Sequence, residues 1–94
     1  MPSAVRDNPT LSRFELDIDG VTAIANYRLA DGIITLTHTE VPEKARHGGI
    51  ASRLIEGVLE NVRTRGLKVV PRCSFVRAFM EKHPEFEDVL AQPR

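Results

Sequence analysis

The chain has 94 residues, which makes it one domain near the lower limit of what a single core supports. Apolar residues are 41% of it, too many for a disordered chain, and Lys+Arg and Asp+Glu stand at 13 each, a balance that favours neither nucleic acid nor an anionic membrane. No apolar run approaches the ~20 residues that span a bilayer, no apolar leader opens the chain, and a single cysteine excludes an intramolecular disulfide, so the expectation is a cytoplasmic protein.

Residues 1–10 hold Pro2, Asp7, Asn8 and Pro9 without periodicity and are expected to be a loose tail. From residue 11 onward Leu11, Phe14, Leu16 and Ile18 are set among polar residues as in a half-buried strand. Asp19-Gly20 is a two-residue hairpin signal. Residues 21–29 follow, with Ile24 and Tyr27 favouring a strand, and Asp31-Gly32 repeats the turn signal. Residues 33–41 read Ile-Ile-Thr-Leu-Thr-His-Thr-Glu-Val, a third strand of an antiparallel meander.

The pattern changes at Pro42. Ile50, Ala51, Leu54, Ile55, Val58, Leu59 and Val62 recur at helical spacing, with Arg53, Glu56, Glu60 and Arg63 on the opposite face. Arg65-Gly66 ends that helix. Residues 67–72 form a short apolar strand. Ser74 is placed to cap a second helix with Phe75, Val76, Phe79 and Met80 on its apolar face, and His83-Pro84 stops it. Residues 86–90 suit a last short strand. The order β-β-β-α-β-α-(β) predicts one α/β (α+β) domain over 1–94, with a mixed, mostly antiparallel sheet. Its strand–helix–strand unit from 33 to 72 should be a right-handed crossover between parallel strands.

Residues 46–51, Arg-His-Gly-Gly-Ile-Ala, sit between the third strand and the long helix. Glycines at such a junction let backbone N–H groups approach a ligand, and the helix start adds unpaired donors and a positive dipole end. The junction is therefore a candidate phosphate seat, with Arg46 able to add a charge-assisted contact. Neither the Walker pattern nor the dinucleotide Gly-x-Gly-x-x-Gly pattern fits.

Arg46-x-x-Gly49-x-Ala51 resembles the Gln/Arg-x-x-Gly-x-Gly/Ala signature of the Gcn5-related N-acetyltransferase superfamily. His38-Thr39-Glu40-Val41-Pro42, Val70-Pro71-x-Cys73-x-Phe75-Val76 and His83-Pro84-Glu85-Phe86 extend the resemblance toward its small YjdJ-type branch. The resemblance implies an acetyl-CoA-dependent N-acetyltransferase; typical members carry a helix pair between the first two strands, whereas here Asp19-Gly20 joins them directly, so the expected fold is a minimal version. It implies that Glu40 and Val41 offer backbone groups to the pantetheine arm. It implies further that Arg46, His47, Gly48, Gly49, Ile50, Ala51 and Ser52 hold the pyrophosphate, and that Phe79 lines the arm. The strand ending at Val70 to Cys73 should splay from its neighbour and leave a slot for the thioester.

Acyl transfer to an amine needs positioning, a route for the amine's proton and donors for the oxyanion. Cys73 lies between a strand end and a helix start, where a thiol pKa is lowered, and in the branch this chain resembles it faces the acetyl group. Read from the residues alone it is equally a buried small apolar group. His38 and Glu40 share one strand face and are candidates for a proton relay, or else for packing against a neighbouring strand. The Phe75/Phe79 stripe reads chiefly as core, His47 as a phosphate or solvent contact, and His83 as a helix cap. No Cys/His cluster has metal-ligand spacing. The expected partners are acetyl-CoA and an amine acceptor, in a monomer or weak homodimer with no nucleic acid and no membrane. The alternative is a non-catalytic acyl-CoA-binding module or sensor.

Overall fold

The computed structural model describes residues 4–18, 20–43 and 49–91. Its sheet has five strands in sequence order: β1 (Arg6–Asn8), β2 (Arg13–Ile18), β3 (Val21–Ala30), β4 (Ile33–Glu40) and β5 (Lys68–Pro71). The first three pairings are antiparallel, and β4–β5 is parallel, as the intervening helix requires. That helix is α1 (Ile50–Thr64); a second, α2 (Ser74–Lys82), follows β5 and runs into a 3-10 helix over Pro84–Val89.

Asp31 and Gly32 both have positive φ, 55° and 77°, so the second turn is of the tight hairpin kind its Asp-Gly dipeptide suits. β2 ends at Ile18 and β3 begins at Val21, which leaves two residues for the first turn. The register then sorts the side chains. Phe14 faces Ala25, Leu16 faces Ala23, Tyr27 faces Leu36 and Ile34 faces Val69, and all eight are buried. They form one face, on which α1 lays Leu54, Ile55, Val58, Leu59 and Val62, each fully buried, and α2 lays Val76, Phe79 and Met80. Both helices thus share one core, where each large aliphatic contributes roughly 1.5–3 kcal/mol of transfer free energy against the cost of ordering it.

Two expectations are corrected. The N-terminal stretch read as a loose tail carries β1, because its polar residues find partners far along the chain. Arg6 bridges Glu15 and Asp17 at 2.6 Å each, Asn8 donates to Glu15 at 3.0 Å, and Asp7 accepts from the Tyr27 hydroxyl at 2.6 Å and from Arg65 at 3.0 Å. Burial, reinforced by Asp7, pushes the Tyr27 hydroxyl up to about 12. The stretch read as a last strand is the 3-10 helix instead; Pro84 opens it, and Phe86 and Val89, three apart, reach the core from one side. Only Leu90 bridges to β5, parallel to Val69. Arg63 pins this segment through Asp88, the Glu85 carbonyl and the face of Phe86.

The sheet's other face is polar. Glu15, only 4% exposed, is its centre: it accepts from Arg13 at 2.7 Å, from Asn8 and from Arg6. The Arg13 hydrogen bond above all, then Asn8, hold its carboxyl below the ordinary value, outweighing burial. A depressed carboxyl stabilises the fold above its unfolded value of about 4.5 and loses that contribution as pH falls through the folded value. Glu15→Gln should therefore be less stable than the native chain at neutral pH, and the gap in urea midpoints should close as pH falls below about 4.5. A gap independent of pH would reject the charge of Glu15 as its cause.

Candidate active site

β5 stays in register with β4 only as far as Leu36, opposite Pro71. There the Leu36 carbonyl accepts the N–H groups of both Arg72 and Cys73 at 3.0 Å, which turns the chain away. His38, Thr39 and Glu40 remain paired to β3 on one side, while β5 has left the other. The expected splay is thus present, and a groove of about 800 Å³ opens beside it. The end of β4 forms one wall through His38, Thr39 and Glu40, continued by Val41, Pro42 and Glu43. Ala51, in the first turn of α1, and Phe75, in the first turn of α2, complete the lining.

Gly49 introduces α1 in the left-handed region, φ 74° and ψ 27°, and its carbonyl accepts the Arg53 N–H at 3.0 Å. Among the described residues, no side chain caps this helix, and no acidic residue stands in its first turn. The first-turn amides and the positive dipole end of such a start suit an anion. Of the expected phosphate loop, Ile50 is buried in the core, Ala51 lines the groove and Ser52 is exposed. Arg46, His47 and Gly48 lie outside the described residues.

Cys73 occupies the capping position of α2, one residue before the Ser74 expected there, and is half-buried. Its sulfur lies 3.4 Å from the Thr39 hydroxyl across the gap between the diverging strands. Burial pushes the thiol up; the Thr39 hydroxyl, then the amides of Val76, Phe75 and Thr39, pull it down and win, so it sits below the ordinary thiol value.

His38 and Glu40 do share a face, with Nε2 and Oε1 3.5 Å apart and both side chains well exposed. Opposite them on β3 stand Asn26 and Ile24, whereas Thr39 faces the buried Ala25. The pair therefore lies on the opposite face of β4 from Thr39 and Cys73 and meets them only along the groove. Phe79 is buried, stacked on His83 at 4.1 Å and tilted against Phe86 at 6.3 Å. Phe75, read as core, is 37% exposed and supplies the groove's aromatic wall. His83 contacts Glu85 at 3.1 Å. Sequence reading missed Thr39 as a contact of Cys73; its adjacency to His38 and Glu40 was the only signal. Among the described residues, no three His, Cys, Asp or Glu side chains gather as metal ligands.

A family model described as GCN5-related N-acetyl-transferase matches residues 13–89, so the chain belongs to that family. The chain is also similar to a GCN5-like N-acetyltransferase candidate from Staphylococcus aureus, whose solution structure superposes with a TM-score of 0.71 at 26% identity. That match covers 100% of this chain and 94% of the other.

The left-handed Gly49 gives a direct test of the helix start. A Cβ there meets nothing within 4 Å, so Gly49→Ala should cost only the backbone strain, about 1–2 kcal/mol in urea unfolding. A neutral substitution would show that this conformation is not held in solution.

Proposed function

We propose that the groove holds acetyl-CoA and that the protein transfers its acetyl group to an amine. The observation that carries this reading is the parting of β4 from β5 at Leu36 beside the first turn of α1. An extended arm bearing amides needs access to a strand edge, and β5 leaves that of β4 beyond Leu36. A pyrophosphate needs converging donors, and the uncapped start of α1 at Gly49 supplies them. Family membership supports the same ligand.

Bound acetyl-CoA would supply an acyl carbon activated as a thioester. The protein's own groups then have separate tasks. The backbone of Glu40 and Val41 aligns the arm. The amides from Gly49 to Ser52 neutralise the phosphates, joined by Arg46, His47 and Gly48. His38 takes the amine's proton at the groove's rim, and Glu40, 3.5 Å away, stabilises the charged imidazole. Cys73 stands beside Thr39, its sulfur 3.4 Å from that hydroxyl. A cytoplasmic location accords with this chemistry and with a thiol that stays reduced.

One observation favours the second reading, an acyl-CoA-binding module without turnover. β2 passes to β3 in two residues, so no helix pair stands between them to enclose an acceptor.

Calorimetric titration tests the shared element, and the expected result is saturable binding of acetyl-CoA. No heat at about 1 mM ligand, the weak limit of a specific site, would reject both readings. Incubation with a panel of amines separates them: amine-dependent loss of acetyl-CoA supports the transferase, and binding without loss supports the module. In the transferase, His38→Ala should lower kcat by about 10²-fold or more while acetyl-CoA affinity holds.

A further inference from the structure

β4 does not alternate evenly. Tyr27 pairs with Leu36 but Asn26 pairs with His38, so Thr37 is an extra residue, a β-bulge. Ile34 and Leu36 point to the helices; even alternation would send residues 38 and 40 the same way and turn 39 outward. The bulge reverses this. Thr39 now faces the same side as Ala25, and its hydroxyl reaches the Cys73 sulfur at 3.4 Å.

We propose that Thr39 is a positioning residue that aims and activates the Cys73 thiol, an inference that rests on reading the groove as an acyl-transfer site. The two residues stand on opposite lips of the gap that opens beyond Leu36. The Cys73 backbone is already held there by its N–H bond to the Leu36 carbonyl. The amides of Val76 and Phe75 at the start of α2 also act on the sulfur, and the Thr39 hydroxyl outweighs them. The Thr39 hydroxyl is its side-chain partner, able to donate to a thiolate or to accept from a thiol. A hydroxyl that donates to the ionised sulfur favours the reactive form and fixes its direction into the groove.

Among the described residues, charged groups on the surrounding elements do not replace it. Arg72 precedes the cysteine, and Arg77 on α2 donates to the Arg72 carbonyl at 3.4 Å. His38 and Glu40 pair with each other on the far face of β4, while Glu43 and, on α1, Arg53 are exposed. The largest influences on the thiol are burial and neutral donors, Thr39 first among the donors.

Cys73 is the chain's one cysteine, so iodoacetamide alkylation followed against pH reads it alone. Thr39→Val keeps the shape and removes the hydroxyl; it should move the alkylation midpoint to higher pH and slow the reaction at neutral pH several-fold. Thr39→Ser restores a hydroxyl and should return the native profile. Thr39→Ala provides the same reading if the valine variant loses its cooperative thermal transition. An unchanged profile in the folded valine or alanine variant, or a serine variant that behaves like them, would overturn the proposal. Alkylation needs no acetyl-CoA, so this result stands apart from the calorimetric test of the groove's ligand.

Discussion

The site depends on one carbonyl. Leu36 accepts the N–H groups of both Arg72 and Cys73, so the parallel pairing of β4 with β5 ends in a fork. Had β5 continued, the edge of β4 at His38, Thr39 and Glu40 would be satisfied by strand hydrogen bonds and closed to any ligand. Because it turns away, α2 starts against the gap and brings Phe75 to the groove and Cys73 against Thr39. Meanwhile α1 is held on the same side of the sheet by a fully buried stripe, so Ala51 in its first turn borders the groove as well. The fork, the buried stripe of α1 and the start of α2 are three parts of one geometric arrangement.

A core this small is supplemented by arginines. Arg63 and Arg65, at the C-terminal end of α1, reach opposite ends of the described chain: Arg63 to Asp88 and Phe86, Arg65 to Asp7. Individually such half-exposed pairs are worth little. Here they join a network with Tyr27 and the Glu85 carbonyl, so the same turn of helix secures β1 and the 3-10 segment. Arg6 does similar work on the polar face, tying β1 to Glu15 and Asp17.

Regular periodicity made most of the fold legible. The two Asp-Gly dipeptides bounded β2, β3 and β4, and the apolar spacing of α1 gave its buried face except that Ala51 borders the groove and Gly57 is buried. β1 was not legible, because Arg6-Asp7-Asn8 has no apolar alternation and is held by side chains distant in sequence. The final segment misled for the converse reason: Phe86, Val89 and Leu90 are apolar enough for a strand, and only Pro84 and their spacing favour the tighter helix. In the site, the splay and the exposure of α1's first turn followed from order and motif. The bulge at Thr37 did not, since no residue type there demands an extra residue in the ladder. That single residue decides which side chains of β4 meet Cys73, and it brings Thr39 to the sulfur. Phe75 and Phe79 likewise share a helical stripe, and only the start of α2 at the groove separates a wall residue from a core residue.

The way the sheet ends has a consequence for behaviour in concentrated solution. A strand edge with free N–H and C=O groups is a template on which another chain can add, and long apolar edges lead to aggregation. On one side of this sheet the outer edge of β5 is engaged by the returning segment, where the Ala91 N–H donates to the Val69 carbonyl at 2.9 Å. On the other side the terminal strand is β1, three residues long, with an arginine and an aspartate among them. Neither edge offers a flat apolar run for a second sheet to extend. The groove at the end of β4 is thus the place where an exposed strand edge is tolerated, and an occupant would shield it.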